Sequence, residues 1–189
     1  MNPPEMLQDE QEFAAFLDIV KELEATSYLE IGAKFGGTFY RVAKALPVGS
    51  RVVAVDLPSG TKAWTASEKS LCSVRDELIE DGYECHLIWG DSTNAAIVDQ
   101  VKAFGSFDCI LIDANHTLPY VRRDWASYKP LARKAVAFHD ISWSRAPTWQ
   151  GTRIDVPQFW NEIKCGYHHT ELRYDGSRKN NGIGIIRLD

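Results

Sequence analysis

Five acidic side chains recur at the ends of apolar runs: Glu30 in "YLEIG", Asp56 closing "RVVAVD", Asp91 in "GDS", Asp113 closing "FDCILID" and Asp140 closing "KAVAFHD". Two histidines accompany the last two, His116 three residues after Asp113 and His139 directly before Asp140. Carboxylates repel phosphates and attract cations and hydroxyls, and imidazole titrates near neutral pH. Such a set suits a ligand that is positively charged or rich in hydroxyls. A phosphate cradle would be built otherwise, and no G-x-x-x-x-G-K-[ST] is present.

These groups can act together only if the run ends meet in space. Residues 9–24 carry Phe13, Phe16, Leu17, Val20 and Leu23 at spacings of three and four, which predicts an amphipathic helix. "SYLEIG" reads as a strand and "GTFYRVAKAL" as a helix. "RVVAVD", "ECHLIWG", "FDCILID" and "KAVAFHD" read as further strands, separated by helical stretches near 65–80, 94–103 and 117–129. "VPQFWNEIK" reads as a helix, and "HTELRYD" with "GIGIIRL" as a closing antiparallel pair. Alternating strands and helices predict an α/β fold with right-handed crossovers. The expected architecture is a doubly wound, mostly parallel seven-stranded sheet, Rossmann-like, with helices on both faces and a C-terminal antiparallel strand pair. In such sheets ligands bind beyond the carboxyl ends of the strands, where the five acids fall.

The glycines of "YLEIGAKFGG", residues 28–37, mark the first strand-to-helix turn. A nicotinamide dinucleotide asks for G-x-G-x-x-G, whose second glycine admits a pyrophosphate. Here Lys34 holds that position. Asp56, 26 residues after Glu30, suits a ribose diol in either case. S-adenosylmethionine fits the acids better, since it lacks phosphate and carries a sulfonium and an ammonium group. A tight turn with no ligand is the bland alternative.

With E-x-G-x-x-x-G at Glu30, Gly32 and Gly36, an acid at Asp56, "GDS" after the third strand and "ILID" at the fourth, the chain resembles class I S-adenosylmethionine-dependent methyltransferases over residues 10–189. The resemblance implies that Glu30, Gly32 and Gly36 lie by the methionine moiety, Asp56 binds the ribose, and Asp91 with Ser92 borders the adenine. The strand-four and strand-five ends also resemble catechol-type metal-dependent O-methyltransferases, and the subgroup of cephalosporin-hydroxylase-like proteins and macrolide-sugar O-methyltransferases. That implies a metal held by Asp113, His139 and Asp140, and a catalytic pair of His116, as base, with Asp113. Mg²⁺ prefers oxygen donors, so His139 leaves room for Mn²⁺ or Fe²⁺. In such an enzyme the cation lowers the pKa of a hydroxyl and orients it toward the sulfonium methyl. The plainer readings are a cofactor contact for Asp113, a helix cap for His116 and a hydrogen-bonded core histidine for His139.

The acceptor implied is a small molecule, a sugar or other polyhydroxyl compound, and residues 141–160 are the expected substrate-side loop. Trp143 and Trp149 are its pocket candidates, while Phe159 and Trp160 read as the core face of a helix and Tyr128 stands nearby. Arg145 and Arg153 suit an anionic substrate or the surface. His168 and His169 sit at a strand start with no catalytic reading. The 189 residues are expected to form one methyltransferase-like domain, with residues 1–25 its N-terminal helix. A net charge of −5 speaks against a nucleic-acid partner, and no apolar run is long enough to span a membrane. Four widely spaced cysteines and an acidic N-terminus point to reduced thiols and a cytoplasmic protein. Two rivals stand beside the methyltransferase: an NAD-dependent oxidoreductase, and a non-catalytic cofactor-binding scaffold of the same fold.

Overall fold

The computed structural model describes residues 4–58, 67–142, 148–149, 152–174 and 181–188. Helix α1 spans Glu10–Glu22 and is started by Asp9, whose carboxylate accepts the N–H groups of Gln11 and Glu12. Its buried stripe contains Phe13, Phe16 and Val20, with Leu17 and Leu23 packed alongside. Then follow β1 (Ser27–Ile31), α2 (Gly37–Ala45), β2 (Arg51–Asp56), α3 (Ser67–Glu80) and β3 (Glu84–Trp89). The chain continues through α4 (Ala95–Lys102), β4 (Phe107–Ile112), α5 (Leu118–Tyr128) and β5 (Ala132–His139). It ends with the short strands β6 (Thr148–Trp149) and β7 (Thr152–Arg153), then α6 (Val156–Ile163), β8 (His169–Leu172) and β9 (Ile183–Arg187).

Seven strands form one sheet in the order β3-β2-β1-β4-β5-β9-β8. The pairs among β1 to β5 are parallel, and β9 runs antiparallel between β5 and β8. The expected architecture is thus present. The small β6–β7 pair is an addition, inside the stretch read as an irregular loop. Every residue of β1 and β4 is buried, as unbroken apolar strands covered on both faces require.

Two apolar layers flank the sheet. Phe13, Phe16, Phe39, Leu71, Val74 and Leu78 put α1, α2 and α3 on one face. Val98, Val101, Val121, Tyr128, Phe159 and Trp160 put α4, α5 and α6 on the other. Phe159 and Trp160 are core residues, as their helical spacing implied. The Trp160 ring fills the space beside Gly184, where an added Cβ would lie 2.8 Å from it.

The strand order reverses between β1 and β4. From β1 the chain steps outward to β2 and β3, then returns to β4 on the other side. This switch point opens a crevice at the carboxyl ends of the two strands. There Asp113 N–H donates to the Ile31 carbonyl at 2.8 Å, and Gly32 N–H to the Val55 carbonyl at 2.8 Å.

Candidate active site

The turn after β1 passes through two left-handed glycines, and at Gly32 neighbouring backbone leaves no room for a side chain. Gly32 has φ +91°, and an added Cβ would stand 2.4 Å from the Asp113 carbonyl oxygen. Gly36 has φ +84° at the start of α2, with Leu71 and Val74 at 3.0 Å from the same added atom. Lys34, between them, is also left-handed with φ 50°, and its N–H donates to Asp56. Asp56 accepts a second backbone donor, Leu57 N–H, at 2.6 Å. Burial raises the Asp56 carboxyl above its ordinary range, and these N–H groups work against the rise. Asp56 therefore braces the turn from the end of the neighbouring strand.

Glu30 faces the α2 side of the sheet and is fully buried. One oxygen accepts the Thr38 hydroxyl, the other the Tyr28 hydroxyl at 2.6 Å. Burial pushes its carboxyl up to about 8, despite both donors. Asp91, at the end of β3, accepts the Thr93 N–H at 2.8 Å and its hydroxyl at 2.7 Å. Ser92 is buried; its hydroxyl donates to Asp124 at 2.7 Å, and its carbonyl accepts the Tyr128 hydroxyl at 2.7 Å.

At β4 and β5 the sheet assembles a compact group. Asp113 Oδ1 lies 3.1 Å from His116 Nε2 and 3.3 Å from His139 Nδ1. Asp140 Oδ2 lies 3.4 Å from His116 Nε2, and Oδ1 lies 3.2 Å from His139 Nδ1. Each of Asp113, His139 and Asp140 offers one ligand atom within 4.8 Å of the others. His139 Nε2 and Asp140 Oδ1 are buried without a hydrogen-bond partner among the described residues. Asp140 holds φ 64°, a left-handed conformation that a non-glycine residue adopts at some cost. Two carboxylates and an imidazole, with His139 Nε2 and Asp140 Oδ1 left without a hydrogen bond, make a donor set that fits a divalent cation once His139 gives up its proton.

The charges here sustain one another. Burial alone would raise Asp113, but His139 and His116 hold it well below the ordinary carboxylate range. Burial works against a charged His139, yet Asp140 and Asp113 push it up to about 9. His116 is raised in the same way, its hydrogen bond to Asp113 and the charge of Asp140 outweighing burial. Exposed pairs such as Lys21–Asp18 contribute little by comparison, because water screens them.

Four residues that the sequence reading passed over complete the surroundings. Gln8 donates to Asp113 Oδ2 at 2.7 Å from the segment before α1. Glu12, fully buried, accepts Gly182 N–H at 3.1 Å and Tyr174 N–H at 3.4 Å. Asp124 is fully buried behind Ser92. Asp155 N–H donates to the His116 carbonyl at 2.7 Å, and its carboxylate accepts Leu118 N–H at 3.1 Å, fixing the His116 turn to the segment before α6. Arg153 is exposed and paired with Asp155 at 2.9 Å. His169 packs edge-on against Trp160, 5.8 Å between ring centres. Trp143 and Arg145 lie outside the described residues, and for Trp149 only the backbone, in β6, is described.

A family model for a methyltransferase domain matches residues 29–141, from β1 to the residue after Asp140. The chain belongs to this methyltransferase family. No curated protein matches the methyltransferase chain. Its fold is shared with the O-methyltransferase TomG of Streptomyces achromogenes, a tomaymycin-synthesis protein crystallised with SAM. That likeness has a TM-score of 0.72 at 18% identity, over 95% of this chain and 80% of that one. An O-methyltransferase from Bacillus cereus in complex with SAH gives 0.66 at 18% identity, over 96% and 82%. Cofactor-bound Rv0187 from MTB gives 0.64 at 17% identity, over 98% and 83%. Among the described residues, no helix of the methyltransferase is long and apolar enough to cross a membrane.

Proposed function

We propose that this methyltransferase uses S-adenosylmethionine to methylate a hydroxyl of a small molecule of the sugar or natural-product type, assisted by a divalent cation. The reading rests on one observation. His116 stands between the carboxylates of Asp113 and Asp140, at the crevice edge beside the glycine turn.

In this reading the turn Gly32–Gly36 receives the methionine end of the cofactor, with Glu30 behind it. Asp56 receives the ribose, and Asp91 with Ser92 the adenine. The cofactor supplies a methyl group activated by a sulfonium. With Asp113 and Asp140 turned to the cation, His116 Nε2, which now faces both carboxylates, would be free to accept the acceptor hydroxyl's proton. Asp113, His139 and Asp140 would hold the cation; when bound, it would lower the pKa of the hydroxyl and offset the two carboxylates that raise His116. The imidazole in that set favours Mn²⁺ or Fe²⁺ alongside Mg²⁺. We read the protein as cytoplasmic, with the described part of residues 141–160 on the acceptor side.

Calorimetric titration of S-adenosylhomocysteine and of NAD, each with and without Mg²⁺ or Mn²⁺, tests the reading. The expected outcome is micromolar S-adenosylhomocysteine binding that Asp56→Ala weakens at least tenfold, about 1.4 kcal/mol. Tight NAD binding with no response to S-adenosylhomocysteine would overturn it.

A further inference from the structure

We propose that Asp124 and Tyr128 of α5 are positioning residues for the purine end of the cofactor, acting through Ser92. This inference rests on the cofactor reading above and extends it to two residues outside the expected ligand-binding set. Asp124 and Tyr128 are four residues apart, so they share one face of the helix. Both are fully buried. Asp124 Oδ1 accepts the Ser92 hydroxyl, and the Tyr128 hydroxyl donates to the Ser92 carbonyl, each at 2.7 Å. One helix turn thus grips a single residue by both its side chain and its backbone. Ser92 is thereby fixed from behind, together with its neighbour Asp91, which closes its own turn onto Thr93.

Packing does not account for this arrangement. Asp124 lies in phase with the apolar residues Val121 and Tyr128 of the same helix, where an aliphatic side chain would fill the layer. Its Oδ2 is buried with no hydrogen-bond partner among the described residues. A buried carboxyl with one oxygen unpartnered is costly, and it stands where α5 meets the turn after β3. Burial, with the Asp91 charge adding to it, pushes the Asp124 carboxyl up to about 7. A carboxyl of that kind holds Ser92 as a hydrogen-bond acceptor without a full buried charge. Asparagine would keep the acceptor oxygen and the size, and alanine would keep neither.

The test compares wild type with Asp124→Ala, Asp124→Asn and Tyr128→Phe by calorimetry, using S-adenosylhomocysteine and S-inosylhomocysteine, which differ at the purine amine. Folding of each variant is followed by thermal unfolding. Wild type is expected to prefer the adenosyl compound about tenfold or more, the scale set by one hydrogen bond left unmade. Asp124→Ala is expected to weaken S-adenosylhomocysteine binding about tenfold and to bring the preference toward unity. Asp124→Asn is expected to restore affinity to within about threefold, and Tyr128→Phe to weaken it by about threefold. A folded Asp124→Ala that keeps wild-type affinity and preference would overturn the proposal, because a purely structural residue would lower the melting temperature alone. Should Asp124→Ala fail to fold, Tyr128→Phe decides: unchanged affinity and preference overturn the proposal. Absence of S-adenosylhomocysteine binding by wild type would overturn the cofactor reading itself, and this inference with it.

Discussion

Gln8 and Asp113 stand 105 positions apart in the chain and are joined by a 2.7 Å hydrogen bond from the Gln8 amide to Asp113 Oδ2. The other Asp113 oxygen faces His116 and His139, so Gln8 fixes the carboxylate without competing with either imidazole. The segment carrying Gln8 is seated on α2: the Pro4 carbonyl accepts from Arg41 at 2.9 Å, and a Cβ on Gly37 would lie 2.1 Å from the Glu5 carbonyl oxygen. Gln8→Leu should therefore weaken Mn²⁺ binding about tenfold, a loss of about 1.4 kcal/mol, while leaving S-adenosylhomocysteine binding within about twofold. Calorimetry with each ligand separates the two effects. Equal Mn²⁺ affinity in the variant would sink the idea that Gln8 orients Asp113.

Gly32 and Gly49 offer a matched pair, since both are left-handed, with φ of +91° and +89°. A Cβ on Gly49 would meet nothing within 4 Å, whereas on Gly32 it would stand 2.4 Å from the Asp113 carbonyl oxygen. Gly49→Ala should cost about 1 kcal/mol, the backbone strain alone. Gly32→Ala adds a backbone collision at the switch point and should cost about 3 kcal/mol or more. Urea unfolding of the two variants checks the difference. Equal losses would mean that the β1 turn shifts freely away from β4.

Much of this was legible because it rests on local pattern. Unbroken apolar strands such as "FDCILID" announce a covered parallel sheet, and acids at their ends fall on one edge by topology alone. His116, His139, Asp113 and Asp140 could be grouped in advance for that reason. Glu12 and Asp124 could have been found by a subtler sign, an acid in phase with the buried face of an amphipathic helix. Glu12 sits beside Phe13 and four residues before Phe16, and Asp124 sits between Val121 and Tyr128. Gln8 carried no such sign. It precedes the helix, and its partner is chosen by how the N-terminal segment packs on α2. The β6–β7 pair was equally hidden, because two-residue strands are too short for alternation to be read.

Glu30 should impose a pH dependence of known sign on the ligand-free protein. Burial raises its carboxyl from an ordinary 4.5 to about 8 in the folded state. Between these values the folded chain holds a proton that the unfolded chain has released, so stability falls as pH rises through that window. Below it both states are protonated and the effect vanishes. Glu30→Gln cannot release a proton and keeps an oxygen for Tyr28 or Thr38. The stability difference between variant and wild type should therefore move toward the variant from about pH 5 to about pH 8, by at most about 1.4 kcal/mol per pH unit. Urea midpoints at several pH values give the measurement. A constant difference would place a charged Glu30 in the folded protein.

The geometry separates a base from its neighbours in the same cluster. His116 reaches Asp113 and Asp140 through Nε2, while Asp113, His139 and Asp140 already bring three ligand atoms within 4.8 Å without it. Once an acceptor is found, His116→Gln should lower turnover at least about a hundredfold, the range of general-base loss. Mn²⁺ and S-adenosylhomocysteine affinities should each stay within about threefold of wild type. Asp140→Asn should do the reverse to metal binding, weakening Mn²⁺ by about tenfold or more. Loss of Mn²⁺ affinity in His116→Gln would move His116 into the ligand set, and wild-type turnover in that variant would assign the proton to another group.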